Sequence, residues 1–382
     1  MTSTTGVAGN LAARLLHGGD RPALVLDDRI VTHAELADRV ARWRGGLASA
    51  GIDGGLRVAI VAGVGEPLVA AHLAVMGRGG VSVPLNPDSP PSELLRELHS
   101  AGIQAVFADE AGSGVVDAAL ALPDATDLDL IRLEAVALDR ADPAPLVDVD
   151  DGDPAVLLFT SGTAGPPRPA VLTHGNLTAS LESILSVPTG LLDRPQTFLC
   201  VVPLFHVLGL NTVLHLALVL GGTVVLAPYR SPEATVDLIE EHQVTVALGP
   251  PNLWRALAAV PDVDPDRLSS VRLALSGADE LPGPVKMAVT GRLGLRLDEG
   301  YGLTESAAVV ATTVGTQAPP GSIGRPVPGV EARIVDEQGD DCLVGDPGEL
   351  LVRGAMVFPG YWSVAGPVDD PLTEDGWLRT GD

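Results

Sequence analysis

The sequence predicts an α/β protein with largely parallel sheets covered by helices, followed by a small β-rich lobe. Short apolar segments alternate with helical segments along most of the chain, and such alternation produces parallel strands joined by helical crossovers. Beyond Ser306 the alternation gives way to short segments punctuated by glycine and proline, a pattern typical of antiparallel strands and turns. The 382 residues suffice for one large domain or two ordinary ones.

The elements of the first half follow from local patterns. Thr32, with Glu35 three residues later, forms a capping box and predicts a helix that continues to about Ser49. Periodicity then predicts strand 57–62, helix 66–76, strand 81–85, a helix after Pro91, and strand 104–108. An acidic stretch, 148–153, precedes the predicted strand 155–159.

The second half continues with predicted strand 223–226, helix 232–242 and strand 245–248, then β-lobe strands within 329–336 and 348–353. Residues 198–227 are apolar enough to suggest a membrane span. Polar residues and prolines such as Pro203 and His215 interrupt this segment, and no basic flank orients it. We therefore predict strand, helix and strand in a buried core, and no membrane span.

The most informative stretch is 159–174, with the sequence FTSGTAGPPRPAVLTH. Glycines let a backbone approach an anion closely, while the hydroxyls of Thr160, Ser161 and Thr163 are donors that need no counter-charge. Arg168 adds a fixed positive charge. The Walker pattern G-x-x-x-x-G-K-[ST] is absent, which argues against an ordinary P-loop NTPase. The stretch therefore predicts a loop that binds the phosphates of a nucleotide, the phosphate loop. The alternative is a surface turn without a ligand.

Further motifs occur around this loop in a fixed order. They are PLFH at 203–206, SGA at 276–278, DEGYGLTE at 298–305, GELLVRG at 348–354, GYW at 360–362 and TGD at 380–382. Together with the loop they resemble the signatures of the acyl-adenylate-forming enzymes, the family of acyl-CoA synthetases, luciferases and peptide-synthetase adenylation domains. The PLFH segment resembles the acyl-CoA synthetase branch.

This resemblance implies ATP-dependent activation of a carboxylic acid to an acyl-adenylate, with release of pyrophosphate and later thioester formation with CoA. It implies that residues 1–382 are the large N-terminal adenylating domain. Two stacked α/β lobes are expected at about 1–150 and 151–306, the second with the phosphate loop, and a distorted β-barrel lobe at 307–382. The family's small C-terminal domain is expected to be absent.

The family's roles carry over to the matching positions. Glu305 is the implied Mg²⁺ ligand, because this hard cation prefers a carboxylate together with phosphate oxygens. Tyr301 offers a flat face for adenine, and Asp382 can accept hydrogen bonds from both ribose hydroxyls. The implied catalytic residues are Thr304, Glu305 and Arg168. The implied nucleotide-binding residues are Thr160, Ser161, Gly162, Thr163, Gly165, Gly277, Ala278, Glu299, Gly300, Tyr301, Thr304 and Asp382. The implied acyl-binding residues are Phe205, His206 and Gly302.

The sequence departs from the family pattern in three respects. Arg168 and Pro169 replace the lysine and glycine that end the family's loop; arginine keeps the charge, whereas proline removes a donor and stiffens the backbone. The sequence has one lysine, Lys286, in a predicted surface helix at 282–289, where it does not match the family's mobile catalytic lysine. We interpret the chain as an excised large domain that binds nucleotide and acid better than it turns them over.

The sequence indicates the class of the substrate acid only in part. His206 follows Phe205 where amino-acid-activating relatives carry an aspartate, which favours an acid without an ammonium group; the alternative is a core histidine. Residues 207–220 are rich in Leu, Val and Ala and suggest a pocket for an aliphatic acid, although a plain core helix explains them equally well. The region between Tyr301 and Gly348 is too short for the insertion of fatty acyl-AMP ligases, which indicates CoA as the acceptor.

Composition excludes several partners. Hydrophobic residues make up 46% and charged residues 19%, as in globular proteins, and the net charge is −25. Nucleic acids and anionic membranes would be repelled by such a charge. Cys200 and Cys342 stand in no metal-ligand spacing and no cleavable signal is evident, so a reducing cytoplasm is the expected location.

Two competing functions stay open. One is an acyl-AMP ligase that loads a carrier protein instead of CoA. The other is a non-catalytic partner that binds a nucleotide or an acyl-adenylate, which Arg168, Pro169 and the unmatched lysine favour.

Overall fold

The computed structural model describes residues 9–126, 128–160, 167–364 and 371–382. Its strands are β1 Pro22–Val25, β2 Ile30–Thr32, β3 Arg57–Val61, β4 Val81–Leu85, β5 Ala105–Ala108, β6 Ile131–Leu133, β7 Pro154–Phe159, β8 Pro169–Thr173, β9 Thr197–Cys200, β10 Thr223–Leu226, β11 Val246–Gly249, β12 Leu273–Ser276, β13 Leu297–Tyr301, β14 Ala311–Thr312, β15 Arg325–Pro326, β16 Glu331–Val335, β17 Glu349–Arg353 and β18 Leu378–Arg379.

The helices are α1 Leu11–Leu15, α2 His33–Ser49, α3 Glu66–Gly77, α4 Pro91–Ala101, α5 Glu110–Leu120, α6 Ala135–Asp139, α7 His174–Leu185, α8 Leu216–Val219, α9 Pro232–Glu241, α10 Pro251–Ala259 and α11 Gly283–Leu293. A π-helix spans Leu208–His215, and 3₁₀ turns span Pro123–Ala125, Pro265–Leu268 and Thr304–Ser306.

The strands form two large sheets and one small one. The six-stranded sheet has the order β6-β5-β3-β4-β7-β8, and only its β7–β8 pair is antiparallel. The nine-stranded sheet has the order β15-β14-β13-β12-β11-β9-β10-β1-β2, with six parallel strands in its middle. The small sheet, β16-β17-β18, is antiparallel. The predicted α/β class with parallel-rich sheets and a β-rich region near the end is confirmed.

Strand pairing crosses the lobe boundaries that the sequence suggested. β1 and β2 pair within the nine-stranded sheet, and β7 and β8 pair within the six-stranded sheet. The last strands of the nine-stranded sheet, β14 and β15, lie beyond residue 306. How the chain divides into domains stays a prediction, because parallel pairing joins strands that are distant in sequence.

The local signals explain the helices that position the site. Thr32 caps α2 by accepting from the Glu35 amide, and the Glu35 carboxylate accepts from the Thr32 amide, so the predicted capping box is confirmed. Nearly every residue of α3 is buried, as expected for a helix that is apolar on all sides. One hydrophobic core contains side chains of α3 and of both large sheets.

The apolar segment 198–227 is confirmed as strand, helix and strand. It forms β9, the π-helix continued by α8, and β10, with β9 and β10 parallel neighbours. Within the part of the chain that the structure describes, we find no helix that combines the length and the apolar character needed to traverse a bilayer.

Candidate active site

Two motifs meet at the carboxyl edge of the nine-stranded sheet. β12 and β13 are parallel neighbours, and Ser276 is in register with Glu299. The chain then turns sharply at Ala278, whose φ of +68° is unusual for a residue other than glycine. The carboxyl ends of parallel strands are where ligands bind in open α/β sheets. The arrangement therefore brings the SGA turn beside Glu299–Tyr301 at an edge suited to ligand binding.

Gly302 lies against a tight turn that follows the Thr304–Ser306 helix. Ala307 and Ala308 have φ values of +52° and +117°. A Cβ at Gly302 would lie 1.4 Å from the carbonyl oxygen of Ala308, so only glycine permits this contact. The segment thus doubles back on itself and fixes the short helix that carries Thr304 and Glu305.

Glu305 is linked to the phosphate loop through Tyr361. The Tyr361 hydroxyl donates to Glu305 Oε1 at 2.5 Å, and the Arg168 guanidinium lies 3.8 Å from the centroid of the Tyr361 ring. Burial, together with the bond to the glutamate, raises the pKa of Tyr361, so the phenol stays neutral and donates. A cation, a phenol and a carboxylate from three separate motifs therefore form one contiguous cluster.

The described ends of the phosphate loop are hydrogen-bonded to each other. The Thr160 amide donates to the Arg168 carbonyl at 3.0 Å, and the Arg168 amide donates to Thr160 Oγ1 at 3.3 Å. Pro169 is the first residue of β8, a position that tolerates proline. The predicted loop residues Ser161, Gly162, Thr163 and Gly165 lie outside the described residues.

The implied adenine and ribose residues touch each other. The Tyr301 hydroxyl donates to Asp382 Oδ2 at 2.5 Å. Burial raises the pKa of Tyr301, and the carboxylate raises it further. The backbone of Asp382 is held by the Leu350 amide, which donates to its carbonyl at 2.9 Å. Tyr301 therefore orients the Asp382 carboxylate, while that side chain stays exposed.

The single lysine of the chain contacts a residue with an implied nucleotide role. Lys286 lies on α11 as predicted, and its Nζ is 2.7 Å from Glu299 Oε1. The Glu299 side chain is only 15% exposed and that of Lys286 38%. No sequence pattern indicated this pair, because it joins α11 and β13, whose contact depends on how the folded sheet packs.

The implied acyl residues precede the π-helix. The rings of Phe205 and His206 meet edge to face with their centroids 4.7 Å apart. The His206 side chain is exposed to solvent. Neighbouring protein atoms nevertheless desolvate its ring in part, which lowers its pKa. The core-histidine alternative is therefore wrong. Further along the π-helix, Leu210, Val213 and Leu214 are wholly buried in the core.

Tyr361 is the site residue that sequence reasoning missed. The GYW motif was visible, but nothing in its letters indicated a partner. In the structure Tyr361 forms a bridge with Ala170 of β8, and the Trp362 amide donates to the Pro169 carbonyl at 2.8 Å. This pairing places the GYW motif next to the end of the phosphate loop.

The donor set at Glu305 suits Mg²⁺. Across residues 9–126, 128–160, 167–364 and 371–382 we find no group of three or more His, Cys, Asp or Glu side chains that could cage a metal. Mg²⁺ is commonly held by one or two carboxylates together with substrate phosphates. Glu305 supplies one such carboxylate, and Tyr361 occupies only one of its oxygens.

The chain is similar to known proteins in both sequence and fold. The model of a family described as AMP-binding enzyme matches residues 12–362. A feruloyl-CoA synthase of Amycolatopsis sp is 35% identical over 356 residues, which cover 92% of this chain and 70% of that protein. For 4-coumarate–CoA ligase 3 of Arabidopsis thaliana the identity is 32% over 387 residues, covering 95% and 68%. The ATP-bound structure of MatB from Rhodopseudomonas palustris is similar with a TM-score of 0.88 at 27% identity, covering 98% of this chain and 76% of that one. By this match and these relatives, the chain belongs to the AMP-binding enzyme family.

Proposed function

We propose that this chain activates a carboxylic acid with ATP, forming an acyl-adenylate and pyrophosphate, and that CoA then accepts the acyl group as a thioester. The observation that carries the proposal is the cluster of Arg168, Tyr361 and Glu305, in which three separate motifs meet. Family membership supports the same reaction, since relatives are named CoA ligases. The activity is that of an AMP-forming acid–thiol ligase.

The cluster suits the charge changes of this reaction. A carboxylate oxygen of the acid bonds to the α-phosphorus of ATP, the bond from that phosphorus to the bridging oxygen breaks, and pyrophosphate leaves with the electron pair. Negative charge on phosphate must be neutralised on both sides, and fixed donors do this without reorganisation. Arg168 supplies a cation oriented by the Tyr361 ring, and Thr304 supplies a hydroxyl for the α-phosphate. Mg²⁺ bound at Glu305 would add positive charge at the phosphates.

The nucleoside is proposed to bind between the SGA turn and Tyr301. Adenine would lie against the Tyr301 ring, and the ribose hydroxyls would donate to Asp382, which Tyr301 orients. Glu299, fixed by Lys286, would line the same slot.

Replacing Asp382 with alanine should weaken ATP binding by about 1.5–3 kcal/mol, the scale of hydrogen bonds to a charged acceptor. Binding of 2′,3′-dideoxy-ATP should hardly change, because this analogue lacks both ribose hydroxyls. Calorimetry with the two nucleotides measures the difference. Equal losses for both nucleotides would remove Asp382 from the ribose site. The control is Asp375→Ala, because Asp375 is an exposed aspartate in the connection between β17 and β18.

We propose an aromatic acid as the substrate class. The expected aliphatic pocket rested on residues 207–220, and most of those side chains are buried as core around the π-helix, so they give no support for it. Two relatives are named for ferulate and coumarate, and a third for indoleacetate, from Aromatoleum aromaticum. A partly exposed Phe205–His206 pair offers ring faces on which such an acid can stack.

Free amino acids should bind poorly. No carboxylate follows Phe205, and burying an ammonium group without a counter-charge is costly. We expect 4-methylpentanoate to compete with a bound acyl-adenylate mimic more strongly than leucine, which has the same carbon skeleton with an added ammonium group. Competition measured by fluorescence polarisation decides the order, and tighter binding of leucine would overturn this specificity.

Acid-dependent exchange of pyrophosphate into ATP tests the proposed reaction. We expect exchange with ferulate to exceed exchange with hexanoate or leucine, and all to exceed a reaction without acid. If ATP binds but no acid supports exchange, the non-catalytic nucleotide-binding alternative is correct. The acceptor is tested by AMP release, which CoA should accelerate more than a phosphopantetheinyl carrier protein does; the reverse order supports carrier loading.

A further inference from the structure

A line of buried polar side chains crosses the core between the two large sheets. Ser82 of β4 lies 2.8 Å from His72 Nδ1, and His72 Nε2 lies 2.7 Å from His215 Nε2. His215 Nδ1 is 3.0 Å from Asn211 Oδ1, and Asn211 Nδ2 is 2.8 Å from the Ala307 carbonyl oxygen. Relative exposure is 0% for each of the four side chains.

The Ala307 carbonyl, which ends this line, determines which atom carries the proton in each hydrogen bond. The Ala307 carbonyl can only accept, so Asn211 donates to it and presents its oxygen to His215. His215 must then carry its proton on Nδ1, which leaves Nε2 as an acceptor. His72 in turn carries its proton on Nε2 and accepts from the Ser82 hydroxyl through Nδ1. All four hydrogen bonds point the same way, toward Ala307.

Both histidines must be neutral for this order to exist. A second proton on His215 would set its Nε2–H against that of His72, and a second proton on His72 would reverse the bond to the Ser82 hydroxyl. Burial lowers the pKa of His72 to about 3, and burial also holds the pKa of His215 well below its usual value. The titratable groups that act on the pair are the two histidines themselves and His174, all of which disfavour a further charge.

The line ends at the turn that supports the implied catalytic residues. The Ala307 carbonyl also accepts from Ser180 Oγ of α7 at 2.8 Å, so both of its lone pairs are used. Ala307 and Ala308 have positive φ values, a conformation that persists only where the surroundings enforce it. The Ala307 amide donates to the Thr304 carbonyl at 3.1 Å, which joins the clamped turn to the short helix of Thr304 and Glu305.

We propose that His72, His215 and Asn211 are positioning residues that hold the Ala307 carbonyl and thereby set the orientation of Thr304 and Glu305. The proposal rests on the proposed function of those two residues. Apolar side chains at these positions would need less free energy to bury, since each buried polar group must find a hydrogen-bond partner. A network whose hydrogen bonds are all satisfied and all run in one direction instead specifies a single geometry. Its last side chain, Asn211, lies on the π-helix, which begins two residues after His206.

The first test is spectroscopic. In ¹⁵N-histidine NMR spectra of the chain at pH 7, His72 should be protonated on Nε2 and His215 on Nδ1. Asn211→Leu should abolish the preference at His215. The opposite tautomers, or a charged ring at either position, would overturn the proposal even if every variant fails to fold.

The second test uses binding. His215→Leu removes the donor to Asn211 and should weaken MgATP about tenfold, the effect of one lost buried hydrogen bond. Binding of adenosine, which has no phosphate to contact Thr304 or a metal at Glu305, should change less than twofold. His215→Asn places an amide N–H near the lost Nδ1 and should recover most of the affinity. His33→Gln is the matched control, because His33 is buried and bonded to the Gly222 carbonyl outside this line.

The outcomes separate the two proposals. If Glu305→Gln weakens MgATP binding and His215→Leu does not, the positioning role is wrong and the proposed function stands. If neither substitution affects MgATP, the role of Glu305 itself is wrong. Equal losses of MgATP and adenosine in His215→Leu, without recovery in His215→Asn, would indicate general destabilisation and also overturn the positioning role.

Discussion

Glu305→Gln should weaken MgATP binding by about 1.5–3 kcal/mol, or about 10–150-fold, the range for losing a charged partner. The glutamine keeps the shape of the side chain and can still accept from the Tyr361 hydroxyl, but it no longer attracts a divalent cation. An acyl-sulfamoyl adenosine mimic has no pyrophosphate for a metal to bridge, so its affinity should change little. Calorimetry with both ligands in Mg²⁺ measures the two effects.

Two further variants sharpen this result. Tyr361→Phe keeps the ring beside Arg168 but removes the hydroxyl that donates to Glu305, and it should cost about 1 kcal/mol of MgATP affinity. Glu331→Gln, on the small sheet and paired with Arg353, should leave both ligands unaffected. Equal losses for MgATP and for the mimic in Glu305→Gln would contradict the metal assignment.

Gly302→Ala should lower the free energy of unfolding by about 3 kcal/mol or more, at the upper end of the range for overpacking. The added methyl would lie 1.4 Å from the Ala308 carbonyl oxygen, which is backbone and has no free rotation to escape. The turn after Glu305 must therefore move, so MgATP affinity should fall as well. Urea denaturation and calorimetry measure the two losses.

Gly291→Ala is the matched control for this substitution. Gly291 lies inside α11, and apart from its chain neighbours and the backbone of its own helix no described atom lies within 4 Å of the added methyl. Alanine favours a helix over glycine by about 0.5–1 kcal/mol, so this variant should be slightly more stable than the parent chain. A Gly302→Ala protein with unchanged stability and unchanged MgATP affinity would show that the turn is less tightly packed than the structure indicates.

The sequence predicted what depends on local patterns. The capping box at Thr32 placed the start of α2 correctly, and strands β4 and β10 have the predicted bounds. The same patterns could not show that β1 and β2 join the nine-stranded sheet, because pairing is decided by packing across distant segments. The π-helix was predicted only as a helix, since an almost continuously apolar segment carries no periodicity that distinguishes the two.

The site divides in the same way. Motifs with fixed spacing identified Glu305, Tyr301 and the phosphate loop as candidates, and the assignment of their roles stays a prediction. The partners of these residues were invisible, because Tyr361 reaches Glu305 from 56 positions away and His72 meets His215 from 143 positions away. Histidines within apolar segments were the only signal of the buried line.

The pairing of residues 360–362 with β8 also bears on association between molecules. β8 is the last strand of the six-stranded sheet, and an open edge strand can recruit a strand from another chain. The Val171 amide donates to the Gly360 carbonyl, and the Trp362 amide donates to Pro169, so this edge is already occupied. The segment that brings Tyr361 to Glu305 therefore also covers an edge strand. A substitution that frees this segment should open the edge to pairing with another chain and, at the same time, separate Tyr361 from Glu305.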